Sequence, residues 1–294
     1  MTRRETVTGM SLLAVAFAAA YAVRVPGLVG EVPAQCVHEV PVGCHVRLPA
    51  ERGGDTIIEV GGVEVARHAA CLRRAEAART TRSPPHPFEW KAWTEYNAPS
   101  GLKSLSGSWV VPAAPTKPTL YNLFYFGQGA MPASNGIIIQ SMLQWGLGAP
   151  SGGAQSWAVA SWVVGDGSGY FTRLLDVAPG NTVRSELTQL TANGTWLVNS
   201  VARGESVNVT TSTGADPLTW AYNVAESFSL GACDQYPPNT LVFSDLALEM
   251  ESGRSAGGEG AGGGGVVWSP QAESQYPLLC KGEFIYRYIL CEFC

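Results

Sequence analysis

Residues 170–211 read YFTRLLDVAPGNTVRSELTQLTANGTWLVNSVARGESVNVTT, a run in which polar and apolar residues alternate. Three dipeptides interrupt this run, namely Pro179-Gly180, Asn193-Gly194 and Arg203-Gly204. Pro-Gly and Asn-Gly supply the backbone angles that tight turns need, and Asn-Gly between alternating segments favours a β-hairpin. The stretch therefore predicts four short strands joined by tight turns.

The same pattern extends over residues 89–250. Short apolar or alternating segments recur there between turn residues, and no long segment has the 3.6-residue period of an amphipathic helix. Many short strands with regularly spaced turns are typical of sandwiches and barrels. We therefore predict an all-β fold for this region, an antiparallel two-sheet β-sandwich of the concanavalin A-like or jelly-roll type.

The first residues have the features of a secretory signal. Arg3 and Arg4 precede an apolar stretch over residues 10–23, and Ala20-Tyr21-Ala22 has the small-x-small spacing of a signal-peptidase site. The apolar stretch is short for a membrane span, although a short anchor is the alternative. We therefore interpret residues 1–22 as a signal peptide, and we expect a secreted, extracellular protein with no stable membrane association once the signal is removed.

Two further segments flank the predicted sandwich. Residues 23–88 contain all four histidines and end in the chain-breaking sequence Ser83-Pro-Pro-His-Pro87, so we place a boundary there. This leader is either a removable pro-segment or an extension that packs on the main domain. Residues 251–294 form a tail that begins with the glycine-rich stretch 254–265, a composition typical of linkers, and then contains several cysteines.

Charge and cysteine content narrow the function classes. The formal net charge is −5, which argues against nucleic-acid binding because that function needs a basic face. Outside the cell the seven cysteines would tend to pair, and an odd number leaves one over. The spacing Cys291-Glu-Phe-Cys294 lacks the second pair that a zinc site needs, so we favour disulfides. We expect a monomer.

Several catalytic chemistries lack their residues in the predicted sandwich. Residues 89–250 contain no histidine, so a Ser-His-Asp or Cys-His arrangement would require one from the leader. The sequence contains neither a His-Glu-x-x-His motif nor a dense His/Asp/Glu cluster that would suggest a metal site. The Asp-Thr-Gly pairs of two-aspartate peptidases are also absent. An enzyme with this sequence would work with carboxylates, amides and hydroxyls, and we predict no cofactor.

The segment Ile137–Gly146, IIIQSMLQWG, predicts a strand with two different faces. One face carries apolar residues together with Ser141 and Trp145, and it is typical of a sandwich core. The other face carries Gln140 and Gln144, two amides that a substrate groove would use. The alternative is an ordinary strand whose glutamines face solvent.

The segment Trp220–Leu230, WAYNVAESFSL, predicts a second such strand. In the absence of a bulge, Glu226 shares a face with Trp220, Tyr222 and other large apolar side chains. Burial among such neighbours disfavours an ionised carboxylate, so we expect the pKa of Glu226 to be raised. A carboxyl of that kind can act first as a general base and then as a general acid at low pH. The alternative is a structural glutamate with a backbone or arginine partner.

Four segments, taken together and in order, resemble the eqolisin family of glutamic peptidases. They are Ser106-Gly-Ser-Trp-Val-Val-Pro112, Leu143-Gln-Trp-Gly146, Ala225-Glu226 and Leu241-Val-Phe-Ser244, and the resemblance covers roughly residues 105–248, about half of the chain. Two stretches depart from the family pattern, because Ser227-Phe-Ser-Leu230 follows the glutamate and Tyr125-Phe-Gly-Gln-Gly129 stands where the family has a Trp-x-Gly-Ile-Asp-type strand. The resemblance is that of a divergent member.

The resemblance implies a secreted β-sandwich acid endopeptidase that needs no cofactor and acts on polypeptides. Gln144 and Glu226 are then the catalytic pair, with Glu226 as the base and Gln144 as the oxyanion donor. We expect substrate-binding side chains near this pair at Trp145, Gln140, Trp162 and Tyr222. Most of the strand tryptophans are expected in the core. The alternatives are a non-catalytic carbohydrate-binding, lectin-like sandwich and a surface protein that kept only the fold.

Overall fold

The computed structural model describes residues 22–28, 31–51, 53–71, 90–146, 155–230, 232–238, 241–252, 255–256, 269–272 and 290–291. These residues form an all-β sandwich, as predicted, and their only helical turns are 3-10 turns at Ala34–Cys36 and Cys233–Gln235. None of them forms a helix of the length and apolarity needed to cross a membrane. The predicted signal peptide lies almost wholly outside the described residues, and so do the boundary at residues 83–87 and most of the stretch 254–265.

The strands, numbered along the chain, form two large sheets and a small ribbon. Sheet I has the spatial order β20 (Ser269–Ala272), β7 (Trp90–Asn97), β17 (Leu218–Phe228), β9 (Leu123–Pro132), β10 (Ile137–Trp145), β11 (Trp157–Gly165), β12 (Ser168–Thr172) and β3 (Val37–Val40), with β13 (Leu175–Val177) also paired to β11. Sheet II has the order β19 (Ser255–Ala256), β18 (Val242–Met250), β8 (Leu102–Val110), β14 (Thr182–Thr191), β15 (Thr195–Ala202), β16 (Glu205–Ser212), β4 (His45–Arg47), β5 (Thr56–Val60) and β6 (Val63–His68), with β21 (Leu290–Cys291) paired to β18. The ribbon joins β1 (Ala22–Arg24) to β2 (Glu31–Pro33).

The turn dipeptides act as the sequence predicts. Arg203 and Gly204 both have positive φ, +56° and +77°, as a two-residue turn of the type preferred in hairpins requires. This turn joins β15 to β16, and the alternation along β15 buries every second side chain against the other sheet. The backbone angles of Arg203 and Gly204 are therefore a local cause of the pairing between β15 and β16.

The apolar core lies between the two sheets. Leu143, Trp145 and Trp157 of sheet I pack with Trp109 and Phe243 of sheet II. A second cluster fills the other end of the same interface, with side chains such as Ile139, Leu105, Leu187 and Trp196. Burial of these large side chains is the main stabilisation of the sandwich, at about 1.5–3 kcal/mol for each apolar side chain.

A row of polar side chains crosses the inner face of sheet I between these two clusters. The row consists of residues in register on five neighbouring strands, namely Thr94, Asn223, Gln128, Ser141 and Ser161. Gln128 Nε2 donates to Asn223 Oδ1 (3.0 Å), and Asn223 Nδ2 donates to Thr94 Oγ1 (3.0 Å). The hydroxyls of Ser141 and Ser161 both lie within hydrogen-bond distance of Ser200 on sheet II, at 2.6 and 2.8 Å.

The leader contributes strands to both sheets. β3 extends sheet I beside β12, and β4 extends sheet II beside β16, and both of these pairings are parallel. Every pairing between two described strands of residues 89–250 is antiparallel. Each parallel pair includes one strand from outside this range. A segment that joins a sheet edge after a long connection is free to run in either direction. Cys36 and Cys71 form a disulfide, and Cys44 is a buried thiol.

Candidate active site

Strand register brings Glu226 and Gln144 to one face of sheet I. β9 lies between β17 and β10, and Tyr125 on β9 is the Cα partner of both Glu226 and Gln144. Directly opposed residues of antiparallel strands project to the same side of a sheet. The three side chains therefore share the outer face, and the Cα atoms of Glu226 and Gln144 are separated by two strand spacings, about 10 Å.

Local alternation determines which side chains reach this outer face. Along β10 the inner positions Ile139 and Leu143 lie in the core clusters between the sheets. Met142 instead packs in a third cluster, the outer-face cluster, which also contains Ile138 and Trp162. Along β17 the outer-face cluster contains Trp220, Tyr222, Val224 and Phe228. The face assignment made from the sequence alternation therefore agrees with the observed packing.

Glu226 is almost completely buried, with 1% of its surface exposed. Its Oε1 accepts hydrogen bonds from Gly27 N (2.9 Å) and from the indole Nε1 of Trp90, which is its Cα partner on β7. Bonds of this charge-assisted kind fix the direction of a carboxylate. Burial, and then the negative charge of Glu226, raise the pKa of Tyr125 and Tyr222 well above the usual range, so both phenols stay protonated and act as donors.

Gln144 differs from the polar residues around it. It is 2% exposed, and neither its amide oxygen nor its amide nitrogen has a hydrogen-bond partner within the described part of the chain. No other side chain among the described residues has two buried polar atoms without a hydrogen-bond partner. A buried polar group without a partner costs about 1–3 kcal/mol. An amide kept at such a cost is the arrangement expected where a ligand or a water molecule completes the bonding.

A second in-register row on the same face contains three of the predicted substrate-binding residues, and the row of Val224, Gly127 and Met142 separates it from Glu226 and Gln144. Gly129 is the Cα partner of both Tyr222 and Gln140, and Gln140 is also the partner of Trp162. Tyr222 Oη donates to Gln140 Oε1 (2.9 Å) across Gly129. A Cβ at residue 129 would lie 2.4 Å from that phenol oxygen, so the contact requires glycine. Gln140, Trp162 and Tyr222 thus lie on the same face as Glu226.

Trp145, the remaining predicted substrate-binding residue, lies on the inner face of sheet I. Its ring packs in the core at 5.2 Å from that of Trp157. The odd positions of β10 all point between the sheets, so Trp145 cannot turn toward Glu226 while Gln144 does. The structure does not bring it together with the other predicted site residues.

Three residues at this site were not selected from the sequence, namely Trp90, Tyr125 and Gly27. Tyr125 stands in an apolar run, Leu123 to Phe126, in which no alternation distinguishes the two faces. Trp90 and Gly27 approach Glu226 from distant parts of the chain, through strand register and through docking of the leader. Pro26-Gly27 is a dipeptide of the kind found in turns, but no local signal indicates where such a turn docks.

The side chains gathered here are a carboxylate, two amides and two phenols. Such a set can accept a proton, donate hydrogen bonds to a developing negative charge and hold a water molecule. Among the described residues there is no group of three or more histidine, cysteine, aspartate or glutamate side chains placed to hold a metal ion.

Solved structures of glutamic peptidases have a fold similar to this chain. Scytalido-glutamic peptidase with a peptide-based transition state analog is 14% identical, with a TM-score of 0.41 over 57% of this chain and 83% of that chain. SCP-B, a member of the eqolisin family in complex with the tripeptide Ala-Ile-His, is 15% identical, with a TM-score of 0.38 over 57% of this chain and 83% of its own. No protein-family profile and no curated protein matches the sequence. At these values the likeness concerns the fold alone.

Proposed function

We propose that this protein is a secreted acid endopeptidase that hydrolyses peptide bonds with a water molecule held by Glu226 and Gln144. One observation carries the proposal. The two side chains are buried on the same face of sheet I in one register row, and the Gln144 amide has no hydrogen-bond partner within the described residues. The motif resemblance to glutamic peptidases gives the same pair.

In the proposed reaction, ionised Glu226 removes a proton from a water molecule that lies between its carboxylate and the Gln144 amide. The water oxygen attacks the carbonyl carbon of the peptide bond. The amide N–H of Gln144 donates to the oxyanion that forms, while its carbonyl oxygen helps to hold the water. Protonated Glu226 then gives its proton to the leaving amine, so that one carboxyl performs both proton transfers.

The surrounding residues support these roles. The indole of Trp90 donates to Glu226 Oε1 and holds the carboxylate in one orientation. Tyr125, between the two proposed catalytic residues, remains a protonated phenol and has its hydroxyl available to a main-chain carbonyl. Gln140 also donates to a main-chain carbonyl. Donors of this kind suit a polypeptide substrate, because every peptide presents the same carbonyl groups.

The carbohydrate-binding alternative is less well supported. A sugar-binding groove would present tryptophan rings lying flat and exposed along the face that carries Glu226. The tryptophans on this face are instead buried, and Trp93, at 8%, is the most exposed of Trp90, Trp93, Trp162 and Trp220. The bonds from this face to the leader go to peptide groups.

Casein digestion at low pH tests the proposed function. We expect acid-soluble peptides to be released with and without pepstatin, because no pair of aspartates takes part in the mechanism. Complete inhibition by pepstatin would contradict the proposal. It would also be contradicted if neither the intact chain nor a chain whose residues 22–28 had been displaced from the site by mutation hydrolysed casein.

A further inference from the structure

The outer face of sheet I is covered by the chain's own residues 22–28. Three side chains of the face bind main-chain groups of this segment. Tyr125 Oη donates to the carbonyl oxygen of Arg24 (2.9 Å), and Gln140 Nε2 donates to the carbonyl oxygen of Pro26 (2.8 Å). The main-chain N–H of Gly27 donates to Glu226 Oε1 (2.9 Å). The face therefore binds this segment as a peptide, through its backbone.

A tight turn presents the Gly27 N–H to Glu226. Leu28 N donates to Val25 O (3.1 Å), and Gly27 has a φ of +78°, as expected for a turn with proline and glycine at its centre. The Gly27 N–H is not used within that turn and is directed at the carboxylate. A Cβ on residue 27 would lie 2.9 Å from Ile138 Cδ1, so the turn fits closely against β10.

Apolar contacts hold the same segment. Val25 is completely buried, and Val23 is 5% exposed, within the cluster that also contains Trp162. Val25 packs where residue 169 has no side chain, since a Cβ there would lie 2.9 Å from Val25 Cγ1. The guanidinium carbon of Arg24 lies 5.1 Å from the centre of the Phe228 ring, within the range of a cation–π contact.

We propose that residues 23–28 are an intramolecular inhibitor that occupies the polypeptide-binding surface of the Glu226 site. The inhibitor holds this site closed until the segment leaves. The claim that the segment inhibits catalysis rests on the proposed function. The claim that a peptide binds to Tyr125, Gln140 and Glu226 through backbone groups does not rest on it. A substrate has to displace the segment to reach the same donors and the same carboxylate.

A matched pair of glycine substitutions tests this proposal. Gly27→Ala introduces a side chain at positive φ against Ile138, whereas Gly62→Ala introduces one at the same φ of +78° with no atom within 4 Å of the new Cβ. Both sites lie in the leader, so they share the backbone strain and differ in their contact with the site. We expect Gly27→Ala to raise the rate of casein hydrolysis about fivefold or more, because the strain and the contact with Ile138 fall on the segment that covers the site, and Gly62→Ala, outside that segment, to leave it unchanged.

A binding measurement separates this inference from the peptidase proposal. The probe is a fluorescein-labelled peptide with the sequence Val-Arg-Val-Pro-Gly-Leu, added to the full chain carrying Glu226→Gln, whose amide oxygen still accepts the Gly27 bond. A second substitution, Val25→Asp, replaces a fully buried valine by a charged residue, and Val63→Asp, at a leader valine that is 65% exposed, is its control. We expect Val25→Asp to tighten binding of the probe roughly tenfold or more, and Val63→Asp to have no effect.

Hydrogen exchange over residues 22–28 reports whether the segment has left the face. Faster exchange in the Val25→Asp chain with unchanged probe affinity would overturn the proposal, and so would exchange that remained as slow as in the parent chain. Tighter probe binding without any hydrolysis once Glu226 is restored would support the inhibitor segment and refute the peptidase. If Val25→Asp prevents folding, Gly27→Ala in the Glu226→Gln chain gives the same binding comparison, and unchanged affinity there would also overturn the proposal.

Discussion

Sheet I carries a polar row on its inner face, and the row of Glu226, Tyr125 and Gln144 on its outer face makes its hydrogen bonds differently. On the inner face, Asn223, Gln128 and Ser141 each bind another side chain of the row or of sheet II. On the outer face, two neighbours in register differ from this pattern. Tyr125 donates to a carbonyl of the leader, and Gln144 has no partner in the described part of the chain.

This difference separates a structural row from one that can receive a ligand. The inner amides donate to other side chains of their row and leave no donor for a substrate, although the Oε1 of Gln128 has no partner among the described residues. The outer row has its donors directed at a peptide backbone or left without a partner. Both rows are deeply buried, so burial alone would not have distinguished them.

The largest expected effect follows from removing the charge of the outer row. Glu226→Gln keeps the size of the side chain and an oxygen that accepts from Gly27, but it removes the only proposed base. We expect hydrolysis to fall by about 10³-fold or more, with far-ultraviolet circular dichroism and the unfolding midpoint close to those of the parent. Retention of parental activity in an acid casein assay would eliminate the glutamate mechanism.

The next effect concerns the outer amide. Gln144→Leu should lower kcat by about 10²–10³-fold, the usual effect of losing one oxyanion donor. It should leave the free energy of unfolding within about 1 kcal/mol of the parent, because no hydrogen bond to a described residue is lost and two buried polar atoms are removed. Steady-state kinetics and urea unfolding measure the two quantities. A loss of stability with unchanged kcat would assign Gln144 to the structure and not to catalysis.

The inner amide should give the opposite result, which makes it the matched control. Gln128→Leu removes the donor to Asn223 Oδ1 in a fully buried setting. We expect the free energy of unfolding to fall by about 1–3 kcal/mol, with kcat/KM of the remaining folded protein near the parental value. If Gln128→Leu and Gln144→Leu changed stability and activity in the same proportions, the distinction between the two rows would fail.

The smallest expected effect is a pH-dependent change in stability that comes from His38, a residue of neither row. The rings of His38 on β3 and His68 on β6 stack at 3.7 Å, with Tyr170 beside them, where the edges of the two sheets meet. Burial, and then the nearby His68, lower the pKa of His38 from 6.5 to about 4. The unfolded chain therefore takes up this proton first, so stability contributed by neutral His38 is present above pH 6.5 and is lost as the pH falls toward 4.

His38→Phe keeps a ring in the stack and removes the titration. Allowing for partial solvent exposure of the imidazole, we expect the variant to lose about 1–2 kcal/mol less stability than the parent between neutral and acidic pH. Urea unfolding at the two pH values measures the difference, and kcat at acidic pH should not change. An identical pH dependence in the two proteins would show that the stacked pair does not contribute to acid sensitivity.

Much of the sandwich could be predicted from the sequence because its determinants are local. Turn dipeptides such as Asn193-Gly194 and Arg203-Gly204 fix where strands end, through the backbone angles that they allow. Alternation along β10 and β17 then assigns each side chain to a face, because the side-chain period of a strand is two residues. These two properties place Gln144 on the non-core face of its strand and group Glu226 with Trp220 and Tyr222 on one face of its own strand, before any contact between the strands is known.

Only the tertiary structure decided how the strands align and what covers them. Tyr125 stands between Glu226 and Gln144 because β9 pairs with both β17 and β10, and no local pattern specifies such long-range register. The parallel edge strands β3 and β4, and the turn that brings Gly27 to Glu226, likewise depend on docking between segments far apart in the chain. Side-chain direction is a property of a few neighbouring residues, whereas register and docking depend on the free energy of contacts that form only when the whole sandwich is assembled.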